Sequence, residues 1–371
     1  MPLAINIILL ITFVVKIQYQ VIVMFAIAFT MSCLLIYMFF YMYVKSRHEK
    51  KHDKWRLISD LLIRKAVFYD EDDDDIEEET TIPLTQRAKK LMRNKHFRKL
   101  LTEEIMSAKR NITGTSADNL KQLYIQLQLE KYAFKKLKSR YWHIKAKAIQ
   151  ELTVMEINEF VSELYNHTNN QNELVRMEAQ TAIIQFNGFE GLKFLDIVTY
   201  PISDWQQIKL LQQLALVPPA NISIASWLSS ANSSVVVFAL KLARNYHRFE
   251  LHDEISPCLD HPDLKVRLEA VNFFNEIFTE DTSDEFIGRF LKSNPQLRLA
   301  MVKAMQSTGS EKDIPFLLDL LNEDDTEIKI NAARALAKIG KSGLTSLQEY
   351  ASMSGYPLNE IVMQIEGELA A

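Results

Sequence analysis

In the carboxyl-terminal part of the chain, hydrophobic positions recur three and four residues apart and then break at short polar clusters. The stretch NEDDTEIKINAARALAKIG, residues 322–340, shows the pattern plainly. Ile328, Ala332, Ala335, Leu336 and Ile339 share one face of a helix at those spacings. Asp325 stands where a side chain accepts from the free N–H groups of the first turn. Gly340 stands where a helix closes on a left-handed residue. The apolar face is shallow because so much of it is alanine, so a second helix must approach closely. DIPFLLDLL, residues 313–321, supplies that helix, with Pro315 in its first turn, where the N–H has no helical partner to lose.

The unit recurs. With Ile328 as an anchor followed by small or apolar residues four and seven positions later, further copies fall at Leu297, Val266, Val235, Ile208, Val175 and Trp142. From the carboxyl end, the intervals are 31, 31, 31, 27, 33 and 33 residues. A helical hairpin repeated at such a period predicts an all-α chain in which neighbouring units cover one another, an alpha-solenoid. Three residues before the anchor stands Asn or Asp in five copies: Asn172, Asn232, Asp263, Asn294 and Asp325. One residue after it stand His143, Arg176, Lys209, Val236, Arg267, Arg298 and Lys329.

HPDLKVRLEAVNFF and EDDTEIKINAARALAKIG, with their Asp cap, basic residue and spaced alanines, resemble the HEAT-repeat family, including its short bacterial members. The resemblance covers residues 120–371 and implies a right-handed alpha-solenoid of about seven HEAT-like hairpins. The copies near 208 and 235 depart from the pattern, with Trp205 at the capping position and Val236 at the basic one. In the family the basic ladder stacks against the capping Asp/Asn of adjacent repeats. The series Arg176, Lys209, Arg267, Arg298 and Lys329 is therefore read first as internal stacking and second as a partner surface. Trp142, Trp205 and Trp227 are read as packing residues.

The amino-terminal part obeys another rule. VIVMFAIAFTMSCLLIYMFFYMYV, residues 21–44, has no formal charge and matches the roughly 20 apolar residues a bilayer-spanning helix needs. The basic segment 45–69 follows it, whereas only Lys16 is charged before it. The positive-inside rule then predicts a single-pass protein of the cell (inner) membrane, amino terminus outside and repeats in the cytoplasm. Residues 1–20 form a separate apolar segment, interfacial or a second span. A cleaved signal peptide fits poorly, because a basic n-region is missing.

Charge changes sign along the chain. Residues 70–83 are expected to be an acidic linker, with nine acids in DEDDDDIEEE, residues 70–79. Residues 82–150 carry seventeen Lys/Arg against four Asp/Glu, and 84–119 are read as a basic entry region with one amphipathic helix over 85–110. Lys45, Arg47, Lys50, Lys51, Lys89, Lys90 and Arg93 are candidates for anionic lipid headgroups.

For catalysis the chain offers little. There is no phosphate-cradling glycine loop, and His247, His252 and His261 lack a metal-ligand spacing. The acidic pairs fall at helix starts, where capping explains them. The expectation is a non-enzymatic, membrane-tethered scaffold or adaptor without cofactor, binding membrane lipids and a membrane-associated protein. What is known of similar repeats adds envelope or exopolysaccharide glycosyltransferase systems as possible partners. The alternatives are nucleic-acid binding through residues 82–150, disfavoured by the acidic repeat array, and a HEAT-like lyase.

Overall fold

The computed structural model describes residues 2–69, 82, 84–216 and 223–370; the acidic tract 70–79 lies outside them. The described residues are helical with no strand. The chain divides into two compact units, Met1–Tyr132 and Ala133–Ala371.

The first unit holds α1 (Pro2–Val67), α2 (Gln86–Leu91), α3 (Lys95–Asn111) and α4 (Thr115–Gln126), and α5 (Leu129–Leu137) runs across the division. α1 is one unbroken helix of 66 residues. The helix runs without a turn through the apolar segment before residue 21, the apolar stretch 21–44 and the basic segment that follows, as far as Val67. Past residue 54 its character changes. Trp55, Ser59, Leu62 and Ala66, spaced four, three and four apart, are buried and α1 packs on α3 and α4. Trp55 meets Phe97 edge-on at 6.1 Å. The end of the α1 segment is held by Ser116, whose hydroxyl donates to the Val67 carbonyl at 2.8 Å, and Asn119, whose amide donates to Tyr69 at 2.8 Å. The single helix expected over 85–110 is two, because Asn94 caps a new start, its side chain accepting from His96 and Phe97 N–H.

The second unit continues with α6 (Trp142–Val154), α7 (Val161–Tyr165), α8 (Glu173–Asn187), α9 (Asp204–Leu214), α10 (Ala225–Leu228), α11 (Ser233–Asn245), α12 (His252–Ile255), α13 (Leu264–Glu276), α14 (Thr282–Phe290), α15 (Pro295–Thr308), α16 (Ile314–Leu320), α17 (Thr326–Lys338), α18 (Lys341–Ser354) and α19 (Leu358–Ala370). The long second helices of successive repeats pack on one another: α6 on α8, α8 on α9, α11 on α13, α13 on α15 and α15 on α17. From the end of α8 onward the contact faces merge into a core running from Ile184 to Ile365. This unit is an alpha-solenoid of helical repeats. Gly340, at φ +112°, turns the chain after α17. At Gly343 a Cβ would lie 2.2 Å from the Leu336 carbonyl oxygen, so α18 comes that close only without a side chain there.

Two anchors move. Val175, Val235, Val266, Leu297 and Ile328 are buried as expected, but Trp142 and Ile208 are exposed. In α9 the cap is Ser203, accepting from the Gln206 N–H, and the inward positions are Gln206 and Leu210. The anchor is therefore Gln206, a polar residue that a search for aliphatic side chains passes over. In α6 the corresponding positions are Ile144 and buried Ala148. α19 adds an eighth copy, with Leu358, Val362 and Ile365 buried. The anchors Ile144, Val175, Gln206, Val235, Val266, Leu297, Ile328 and Leu358 lie 31, 31, 29, 31, 31, 31 and 30 residues apart, more even than the sequence reading.

Candidate interaction surface

The corrected register assigns each side chain of the second helices to a row. The row after the anchor is Lys145, Arg176, Gln207, Val236, Arg267, Arg298 and Lys329. Arg176 is buried and donates to the Asn170 and Gln171 carbonyls at 2.8 and 3.0 Å, its guanidinium 4.5 Å from the Tyr200 ring centroid. Arg298 donates to Phe290 and Leu291 carbonyls at 3.0 and 2.8 Å. Gln207 does the same work without charge, donating to the Ile202 and Ser234 carbonyls, each at 3.2 Å. The arginines close the turn that enters their own helix, while Gln207 closes its own turn at Ile202 and also ties it to the first turn of α11 at Ser234. Their acceptors are main-chain carbonyls, where the sequence reading had pictured the capping side chains of neighbours. The Arg267 Nε is buried without a hydrogen-bond partner among the described residues, and Lys329 is half-buried. Lys209 is not on this row: it lies two positions further on and faces Glu178 of α8 at 3.9 Å.

The row two positions after the anchor is apolar but mixed in burial: Ala146 and Val237 are buried, Met177, Leu268, Leu299 and Ile330 are half-buried, with Leu268 and Leu299 packed against the core, and Ile208 is 46% exposed. At the amino ends of α6, α8 and α9 it broadens, with Trp142 47%, Leu174 48% and Trp205 68% exposed. The packing role expected of three tryptophans holds for Trp227 alone, which is buried with its indole N–H 2.7 Å from Asp196. Trp142 and Trp205 face outward because they precede the inward positions of their helices.

Charged side chains bordering the apolar line pair across helices. Lys241 lies 3.9 Å from Asp204, and Arg244 lies 3.0 Å from Glu269. The Glu269 carboxyl is held above the ordinary range by burial, against the opposing pull of Arg244 and Lys241. Beside the amino ends of α9, α11 and α13 a groove of about 1110 Å³ is lined by Thr199, Asp204, Gln207, Asn232, Trp227 and Lys265, among others. No group of three or more His, Cys, Asp or Glu suited to a metal occurs among the described residues.

In the first unit Lys45, Arg47, Lys50, Lys51, Lys89, Lys90 and Arg93 are all exposed, and Lys51 lies 4.8 Å over the Trp55 ring. The basic stretch 82–150 is not one open face. Lys109 is buried, and Lys136 pairs with the buried Glu151 carboxylate at 2.7 Å.

The family model described as HEAT repeats matches residues 285–357, which contain α15, α16 and α17. Over these residues the chain matches HEAT repeats. Among solved structures, an engineered protein is similar over 85% of this chain and 95% of its own, at 14% identity and TM-score 0.38. Kap121p is similar over 85% of this chain and 49% of its own, at 10% identity and TM-score 0.34. The complex of CpcE and CpcF of phycocyanin lyase from Nostoc sp. PCC7120 is similar over 80% and 98%, at 13% identity and TM-score 0.25. No curated protein matches the chain. The repeat copies were legible wherever the anchor was aliphatic and the cap Asp or Asn. The exposed apolar positions were not, since an exposed aliphatic residue and a buried one look alike until the register is known.

Proposed function

We propose that this protein is a membrane-tethered, cytoplasmic scaffold that uses the free face of its HEAT helices to hold a protein partner. The observation that carries the reading is the set of exposed apolar side chains Trp142, Leu174, Trp205 and Ile208 on α6, α8 and α9. Uncovered apolar surface of this extent is a cost in water unless a partner removes it. α1 supports the tether: from Ile27 it is long and apolar enough to cross a membrane, and its apolar residues there are exposed. Exposed Lys45, Arg47, Lys50 and Lys51 directly after the apolar stretch support a cytoplasmic, anionic surface on that side, with Lys89, Lys90 and Arg93 as further headgroup contacts. The tether confines the repeats to a thin layer, where a modest binding surface suffices. Envelope or exopolysaccharide glycosyltransferase systems are the first partners to seek.

The test is capture by the tagged full-length protein in mild detergent after cross-linking in cells, beside an Ile208→Ser variant. Proteins enriched by the wild type and depleted by the variant support the reading. An identical set from both, or none above background, overturns it.

A further inference from the structure

The apolar line is uneven. Over most of the repeats its members are buried or half-buried, but across α6, α8 and α9 it rises into Trp142, Leu174, Trp205 and Ile208, four side chains each at least 46% exposed on three consecutive helices. Aromatic side chains in such a cluster are typical energetic centres of protein interfaces. The charge beside the cluster is mostly basic. Residues 133–150 contain six Lys/Arg and no Asp or Glu; Lys136 is paired with Glu151, and Lys135, Lys138 and Arg140 are exposed in the segment leading to Trp142. At the other end the charges are balanced, with Lys209 near Glu178 and Asp204 between Lys241 and Lys265.

We propose that α6, α8 and α9 together receive an amphipathic helix of a partner protein, whose apolar face covers Trp142, Leu174, Trp205 and Ile208 and whose acidic end lies over α6. Packed helices lie about 8–10 Å apart. A helix laid across them rises about 1.5 Å per residue, so apolar residues seven positions apart, about 10.5 Å, meet successive rows. Acidic side chains at the α6 end face the exposed Lys135, Lys138 and Arg140, which fixes the direction in which the helix lies. A bilayer would also accept tryptophan and lysine, but the cluster runs on past its basic end to Trp205 and Ile208, where charge is balanced; a partner acidic at one end alone matches that gradient.

The proposal deepens the scaffold reading and rests on it. The probe is a fluorescein-labelled 21-residue helical peptide with Leu at i, i+7 and i+14, Ala and Gln elsewhere, and four Glu at one end. Its counterpart carries four Lys instead. Each is titrated by fluorescence anisotropy against the full-length protein in detergent micelles, with empty micelles subtracted. The Glu peptide is expected to bind at least about tenfold more tightly than the Lys peptide, with the gap narrowing as salt rises. Trp205→Ala and Trp142→Ala are each expected to weaken it by about tenfold or more, while Phe249→Ala, a change at another exposed aromatic, leaves it unaltered. Equal binding of both peptides, no binding, or insensitivity to Trp205→Ala overturns the proposal. So does loss of tryptophan fluorescence on reconstitution with brominated lipid that Trp205→Phe abolishes, which assigns the face to the bilayer. If the peptides fail but cellular capture still depends on Ile208, the scaffold reading stands and only the partner chemistry falls; if capture also fails, both fall.

Discussion

Placing an aspartate at Ala332 tests the stacking of repeats most directly. Ala332 is fully buried on α17, beside Ala335 and Leu336, which are also fully buried, and α17 packs on α15. A carboxylate there leaves water for a wall of methyl groups. Its pKa must rise, and a rise of about three units corresponds to about 4 kcal/mol at neutral pH. The added atoms enter a space built for a methyl group, at a further cost of about 1–3 kcal/mol. The sum, about 5–7 kcal/mol, rivals the whole stability of an ordinary domain. The linkage sign separates the two parts. Because the folded pKa lies above the unfolded value near 3.9, the charge part is absent at lower pH and grows as pH rises to the folded pKa. Thermal unfolding of full-length Ala332→Asp in detergent, followed by circular dichroism, should show a deficit that is largest at pH 7 and shrinks toward pH 4. Hydrogen exchange should place the loss in α15, α17 and α18. An unchanged melting curve at pH 7 would refute the inward assignment of Ala332 and, with it, the register of the repeats.

Arg298→Met strips charged donors from the Phe290 and Leu291 carbonyls and should lower stability by about 1.5–3 kcal/mol, read as a lower midpoint in urea. A midpoint equal to wild type would mean that the arginine row contributes nothing to its turns. Glu269→Gln should raise the melting temperature increasingly as pH climbs above 4.5, because burial raises the folded pKa of Glu269 and the wild type loses stability as pH rises through it; a pH-independent difference argues against a titrating Glu269. The Cys258 thiol, pushed up to about 11 by burial, should resist iodoacetamide at pH 8 in the folded protein and react after denaturation, as peptide mass mapping will show. Rapid native alkylation would mean that the site opens.

Much of the architecture was legible in one strand of text. Helix periodicity, Asn and Asp caps and a period near 31 residues specify two-helix units, since a helix with one shallow apolar face has no other way to leave water. The apolar run near the amino end was equally plain, because length and absence of charge decide it. The acceptors of Arg176 and Arg298 were not legible: a basic residue one turn into a helix can reach several carbonyls, and the path of the preceding loop selects among them.

Other features existed only once the chain had folded. Gln206 occupies an anchor because its amide finds the Met177 carbonyl at 3.1 Å and the Gln180 side chain at 3.4 Å. No local rule names those partners, 29 and 26 residues away. The outward turn of Trp142 and Ile208 follows from a shift of two residues, about 200° around a helix at 3.6 residues per turn, which carries a side chain from the core to the free face. The local pattern fixes that a helix has an apolar side. Only packing against α8 and its neighbours decides which residues that side contains, and hence which of them remain for a partner.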